Sequence, residues 1–278
     1  MEIIKFENVN FAYDDGEGNL AKALLNINLS VNEGEFIALL GHNGSGKSTL
    51  AKMMNGLLVP DSGDVTAFGY NTKEKSTIFE IRKRVGLVFQ NPDNQMVASI
   101  VEEDIAFGPE NLGIKREEII ERVDFALKAV GMEDYRKSTP FKMSGGQKQR
   151  IAIAGILAML PKVLVLDEST AMLDPKGRAE VLSIVRKLNK ESGITVILIT
   201  HYMEETMEAD RILIMDNGEI TKTGTPKEIF SDIAAIDKAK LKLPPVLKIA
   251  RSLREKGVPI SDNVFSEKEL AEELCRLL

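Results

Sequence analysis

Five short apolar runs punctuate the chain: FIALL (36–40), VGLVF (85–89), VLVLD (163–167), TVILIT (195–200) and ILIMD (212–216). Several are bounded by glycine-rich or polar turns and followed by helix-like patterns, which predicts strands alternating with helices. Their hydrophobicity is continuous, so both faces of each strand are expected to be covered, as in a largely parallel sheet. The first 35 residues and about 62–70 alternate and turn tightly instead (NINLSVNEGE, SGDVTAFGY), as a small antiparallel layer would. From Asn94 to Arg150 the pattern is mostly helical and highly charged, which predicts a helical insertion between two core strands.

Beyond about residue 235 the character changes again. Pro244 and Pro245 open a segment in which Val246, Ile249, Ala250 and Leu253 recur at helical spacing. Ser266 and Glu269 are expected to cap a second amphipathic run through Leu270 and Leu274. The expected fold class is thus α/β, with residues 1–235 as the main domain, a helical subdomain at about 94–150, and residues 236–278 as a helical appendage.

Composition narrows the function. Of 278 residues 44% are apolar, enough for a buried core. The formal net charge is −6, which leaves no basic footprint for a nucleic acid. The single cysteine, Cys275, excludes an internal disulfide and fits a reducing compartment. The opening MEIIKFENVN lacks the basic and apolar regions of a signal peptide, so the protein is expected in the cytoplasm. The longest apolar run, Ile151 to Leu160, is half of the roughly 20 residues a membrane span needs. Any business with a membrane is therefore expected to go through a partner.

The stretch FIALLGHNGSGKSTL carries Gly41-x-x-x-x-Gly46-Lys47-Ser48 between a predicted strand and a helix, the context of a phosphate-binding P-loop. Backbone amides of Asn43, Gly44, Ser45, Gly46 and on to Thr49 are expected to face the phosphates. Lys47 is expected to bridge the β and γ groups and Ser48 to ligate Mg²⁺. His42 occupies an unrestricted position and is read as having no role. VLVLDEST ends a buried strand in Asp167 and Glu168. The first carboxylate is placed to hold the hydrated metal and the second to activate the attacking water, so Glu168 is the expected general base. The core is therefore expected to be that of a P-loop NTPase. A second anion site is predicted at KMSGGQKQR (142–150): Ser144 and Gln147 have capping-box spacing, and the glycines leave the first helical amides open.

With the P-loop, SGGQKQR and VLVLDE in this order, the chain resembles the ATP-binding-cassette ATPases over nearly all of residues 1–235. The resemblance implies that Ser144, Gly145, Gly146 and Gln147 contact the γ-phosphate of an ATP seated in the P-loop of a different subunit. Two chains would then face each other head to tail with ATP between them. It implies that Tyr13 stacks on adenine and that His201 holds the γ-phosphate and orients the water. Gln90 would touch the metal and the nucleophilic water, with Gln95 the competing candidate. Asp174 would cross the dimer interface, although an Asp before Pro175 is also an ordinary helix cap. The catalytic set is then Lys47, Gln90, Glu168 and His201. The metal set is Ser48, Gln90 and Asp167, and Gly41 joins the nucleotide-binding residues. Met143, Ser169 and Met172 depart from the commonest family pattern without removing a catalytic group.

GHNGSGKST, VFQNPDNQ, VEEDIAFGPENLG, SGGQKQRIAIAGILAM and DESTAMLDPKGR are similar to the energy-coupling factor transporter ATPases, which older usage groups with cobalt-transport ATPases. The Asn43 loop and STAMLDP resemble the first of two paralogous ATPases. This implies a heterodimer with a second cassette ATPase, a homodimer being the alternative, and a peripheral place on the cytoplasmic face of the cell membrane. It also implies a transmembrane T component whose coupling helices lie in grooves near Gln90 and the segment from Asn91 to Gly113, and small S components that bind a vitamin or transition-metal ion. The C-terminal appendage would support dimer contacts or be a solvated tail. Glu102, Glu103 and Asp104 would pair with basic coupling helices or simply form a solvated helix start. An ATPase of another importer or exporter is the alternative within the family. A soluble cassette ATPase usually carries two cassettes or a long coiled-coil insertion, both absent here, and a small-molecule P-loop kinase would lack SGGQ.

Overall fold

The structure is a computed structural model that describes residues 1–278 except 15, 17, 18, 240, 262, 263, 266 and 278. The chain opens with long strands β1 (Glu2–Asp14) and β2 (Leu20–Asn32), then β3 (Phe36–Gly41), which runs through the P-loop into helix α1 (Lys47–Met54). Strands β4 (Ser62–Ala67) and β5 (Tyr70–Asn71) precede α2 (Ile78–Arg84) and β6 (Val85–Val88). A helical stretch follows, α3 (Val101–Asn111), α4 (Arg116–Ala129) and α5 (Gly145–Leu157), before β7 (Val163–Asp167). Then come α6 (Pro175–Ser192), β8 (Thr195–Thr200), β9 (Arg211–Asp216), β10 (Glu219–Gly224), and the terminal helices α7 (Pro226–Ser231), α8 (Ile233–Lys238), α9 (Pro245–Glu255) and α10 (Glu267–Leu277).

All five apolar runs enter one sheet, in the order β10-β9-β3-β8-β7-β6, with only β10 antiparallel to its neighbour. Side chains alternate across a strand, and each face here meets a separate core. Ala38, Leu40, Leu164, Leu166 and Leu198 face the helical side, while Ile37, Leu39, Val163, Val165 and Ile197 face the antiparallel layer and α1. Burial on both faces is the reason that these strands read as unbroken apolar runs. The layer is a four-stranded sheet, β2-β1-β4-β5, with register shifts along β1.

In the helical stretch two residues of the acidic run, Glu102 and Asp104, have partners within the chain, beyond the two expectations of basic partner helices or a solvated helix start. Glu102 pairs with Arg136 at 2.6 Å and with Lys137. These hydrogen bonds, that of Lys137 first and then that of Arg136, hold its carboxyl below the usual range. Buried Asp104 accepts from the amides of Val97 and Ala98 at 2.7 and 3.0 Å. Only Glu103 of the three is exposed.

The C-terminal helices add Val246, Leu247, Ala250 and Leu270 to the helical-side core. Of the expected stripe of α9, Val246 and Ala250 are buried and Leu253 is half-buried against the core, whereas Ile249 is 52% exposed and Leu247 is buried as well. The apolar stripe of α9 is wider than the strip that the core covers, and Ile249 falls on its uncovered flank. The expected Ser266 cap lies outside the described residues.

Candidate active site

Strands β3, β8, β7 and β6 lie side by side and parallel, so four distant chain segments leave the sheet along one edge. These are the P-loop after β3, His201 after β8, Asp167 and Glu168 at the end of β7, and Gln90 just past β6. The carboxyl ends of parallel strands are where open α/β sheets bind ligands.

The P-loop is shaped by close backbone approach. Gly46 caps α1 at φ 104° with no side-chain cap and no acidic residue in the first turn, so the first amides are free to meet an anion. A Cβ on Gly46 would come within 2.5 Å of the Ala23 carbonyl oxygen, and one on Gly41 within 2.5 Å of the Met215 carbonyl oxygen. The turn after β9 braces the loop, with Gly218 N–H donating to Ser45 O at 3.0 Å. His42, expected to have no role, lies between the two: its Nε2 is 2.9 Å from Asp216 Oδ1 and its Nδ1 2.7 Å from Asn43 O.

Lys47 is 4% exposed, and its Nζ donates to Gly41 O at 2.9 Å and His42 O at 3.0 Å while standing 3.4 Å from Glu168 Oε1. An ammonium has three donors. Phosphate oxygens reaching this nitrogen would compete with Glu168 for it.

Ser48 Oγ donates to Asp167 Oδ1 at 2.9 Å, which brings a hydroxyl and a carboxylate together at the mouth of α1. Both are hard oxygen donors of the kind Mg²⁺ takes alongside water and phosphate. Among the described residues no cluster of three or more His, Cys, Asp or Glu could hold a metal by itself. The set therefore fits a cation that nucleotide oxygens help to bind. Burial pushes the Asp167 carboxyl above its ordinary value, against the Ser48 hydrogen bond that lowers it. A carboxyl raised in the folded state gives stability that is full below its unfolded value and is lost as pH rises through the folded one. At neutral pH Asp167 thus costs stability that Asn at this position would recover. Asp167→Asn is expected to raise the Tm by about 2 to 4 °C, worth ~1 kcal/mol in a chain of this size. Thermal unfolding at pH 7 and at pH 4 checks this, since the gain should shrink at the lower pH.

Glu168 sits at φ 48°, a left-handed conformation rare outside glycine that costs about 1–3 kcal/mol and is found mainly where function holds it. Its amide donates to Ile199 O at 3.0 Å. Its carboxylate accepts from Gln90 Nε2 at 3.3 Å and lies 3.8 Å from His201 Nδ1. Gln95 is engaged elsewhere: its Oε1 accepts from Phe89 N–H at 3.3 Å and its Nε2 donates to Ala152 O at 3.2 Å. Of the two glutamines only Gln90 contacts Glu168 here.

A cavity of about 460 Å³ opens over these groups, bounded by Asn43, Gly44, Gly46 to Thr49, Gln90 and Glu168 on the phosphate side. Tyr13 stands at its rim, 42% exposed, with its hydroxyl 3.1 Å from Thr49 Oγ1 and its ring edge-on to Phe11 at 5.0 Å. Ala21, Lys22 and Ala23 complete the lining. Sequence reasoning missed these three. The signal is the hairpin register, in which Tyr13 pairs with Ala21 and Ala12 with Lys22. Ser144, Gly145, Gly146, Gln147 and Asp174 do not line this cavity. Ser144 caps α5 in a capping box, accepting from Gln147 N–H at 3.4 Å, with Gly145 exposed beside it. Asp174 caps α6 by accepting from Gly177 N–H at 3.0 Å.

The ABC transporter family matches residues 24–171, the segment that holds the P-loop, the capped α5 and the β7 carboxylates. The chain belongs to this family. It is 54% identical over 274 residues to the energy-coupling factor transporter ATP-binding protein EcfA1 of Caldanaerobacter subterraneus subsp. tengcongensis, covering 99% of both chains. EcfA1 of Clostridioides difficile is 50% identical over 275 residues, again with 99% of both chains covered. Among solved structures, cbiO1 from Clostridium perfringens, part of the ABC transporter complex cbiONQ, superposes with TM-score 0.77 at 39% identity over 90% of this chain and 99% of that one. A dimeric ATP-binding cassette in a post-hydrolysis state with ADP and Pi gives TM-score 0.73 at 31% identity over 81% of this chain and 99% of that one.

Proposed function

We propose that this chain is the ATP-hydrolysing subunit of an energy-coupling factor transporter and works as a dimer whose ATP sites are shared between subunits. One observation carries the reading. The cavity gathers the P-loop, Gln90, Glu168 and Tyr13, yet the capped α5 N-terminus stands outside it with Gly145 exposed. An anion site outside the lining of its own chain's cavity is explained by a second subunit placed head to tail.

In that arrangement the amides of the P-loop and Lys47 bind and orient the phosphates. Ser48, Asp167 and Gln90 would hold Mg²⁺, which supplies charge neutralisation at the phosphates when bound. Glu168 takes the proton of the attacking water, and His201 orients that water toward the γ-phosphate. Ser144 to Gln147 and Asp174 of the other subunit close the site. Tyr13 covers the base. Closure is stabilised because both subunits contact the γ-phosphate only in the closed state, so hydrolysis releases it.

Among the described residues no helix is long and apolar enough to cross a membrane. A membrane partner has a surface to meet: an apolar groove of about 340 Å³ near Gln95, where Phe79 and Val97 are 52% and 58% exposed and Phe107 is 49% exposed. A coupling helix of a transmembrane T component, itself joined to small S components that bind a vitamin or metal ion, fits this groove. The exposed Ile249 flank supports a dimer-contact role for the C-terminal helices, and likeness to EcfA1 supports a paralogous ATPase as the second subunit. Affinity purification of the tagged chain from detergent-solubilised membranes of its own host tests the assignment. A second cassette ATPase, one larger membrane protein and several small ones should be recovered. Recovery of a dedicated permease pair would place the chain in another transporter class.

A further inference from the structure

Residues 201–206 follow β8 and carry His201, while residues 169–178 follow Glu168 and lead through Asp174 into α6. The two segments are tied at two depths. Near the surface the Arg178 guanidinium lies over the Tyr202 ring at 4.0 Å from its centroid, and that ring lies 4.1 Å from the His201 ring with the planes 37° apart. Below it, Thr170 Oγ1 donates to Glu205 Oε2 at 3.0 Å, with Thr170 1% and Glu205 3% exposed. The links are rigid at their ends: Arg178 N–H donates to Asp174 O at 3.0 Å, and Tyr202 N–H to Thr200 Oγ1 at 3.0 Å. Among the described residues no hydrogen bond holds the His201 imidazole, whose Nδ1 lies 3.8 Å from Glu168 Oε2. Its orientation is therefore set by the ring it lies against.

We infer that Tyr202 and Arg178 are positioning residues for His201, so that the Asp174 segment and the histidine move as one unit. A cation over an aromatic face is attracted electrostatically. A shift of the first turn of α6 pulls on Tyr202 and carries the imidazole with it, while the buried Thr170–Glu205 bond keeps the segments in register. The inference rests on the reading that His201 orients the attacking water.

The test is steady-state ATP hydrolysis by the full chain carrying Tyr202→Leu, Tyr202→Phe, Arg178→Met, the Tyr202→Leu/Arg178→Met pair, or His201→Ala. Small misplacement of a catalytic group is costly, so Tyr202→Leu and Arg178→Met are each expected to lower kcat by about 10-fold while KM for ATP stays within about twofold. Tyr202→Phe keeps the ring face and should restore kcat. The double variant should be no worse than the worse single one, because the residues act as a unit. Equal loss in Tyr202→Phe, additive losses in the pair, or a KM effect with unchanged kcat would overturn the inference. If His201→Ala abolishes turnover while Tyr202→Leu and Arg178→Met do nothing, this inference alone fails. If His201→Ala leaves kcat unchanged, the reading of His201 fails and the inference falls with it.

Discussion

Replacing Glu168 with glutamine is expected to lower ATP turnover by about 10²- to 10⁴-fold while ATP binding is kept or strengthened. The geometry gives both halves of this expectation. Glutamine keeps the shape of the side chain and an oxygen that accepts from Gln90 Nε2, so the φ 48° turn and its neighbours have no cause to move. What it loses is the capacity to take a proton and the negative charge 3.4 Å from Lys47 Nζ. Phosphate then meets a Lys47 with one competitor fewer. Single-turnover hydrolysis and equilibrium nucleotide binding on the same preparation separate the two effects. Unchanged turnover would remove Glu168 from the role of base, and dimers formed with ATP should accumulate in the variant.

Lys47→Ala is expected to act at the opposite step. Loss of a charge-assisted hydrogen bond to phosphate is worth about 1.5–3 kcal/mol, roughly 10- to 100-fold in Kd. The variant also leaves the carbonyls of Gly41 and His42 without their shared donor, so part of the loss will come from the loop's shape. Adding Ser144→Arg as a second, separate variant turns this into a test of geometry. If α5 of one chain completes the site of the other, a mixed dimer of the two variants holds one site with both lesions and one with none. Glu168→Gln in both chains traps dimers, so ATP retained by the mixture, and by neither variant alone, supports a shared site. A mixture that retains no ATP would overturn it for a dimer of identical chains.

Much of this was legible in the sequence because the physics is local. The glycines of the P-loop fix its turn whatever lies around it, and Ser144 and Gln147 bond to each other across a single helical turn. Continuous apolar runs announce strands covered on both faces. The helical spacing beyond Pro245 foretold α9 and the burial of Val246 and Ala250, and missed only at Ile249, which belongs to the apolar stripe but not to the strip covered by core. The acidic start of α3 read equally as a partner for basic helices or as a solvated helix start. Its true neighbours, Arg136 and Lys137, lie more than thirty positions away along the chain.

Residues near one another along the chain specify the main elements, the phosphate loop, the carboxylate pair at the end of β7 and the helix that Ser144 caps at SGGQ. Each of these is written in residues within a few positions of one another, where steric and hydrogen-bonding preferences act without help. The tertiary structure alone decided which of these meet. Strand order brings Gln90, Glu168, His201 and Lys47 to one edge and gives Gln95 other partners. It lends His42 a carboxylate from β9, lays Tyr202 between His201 and Arg178, and leaves Ser144 outside the lining of its own chain's cavity. These contacts depend on how distant strands pair and which faces the two cores cover. That choice is made by the summed burial of the whole chain, which no short stretch of sequence encodes.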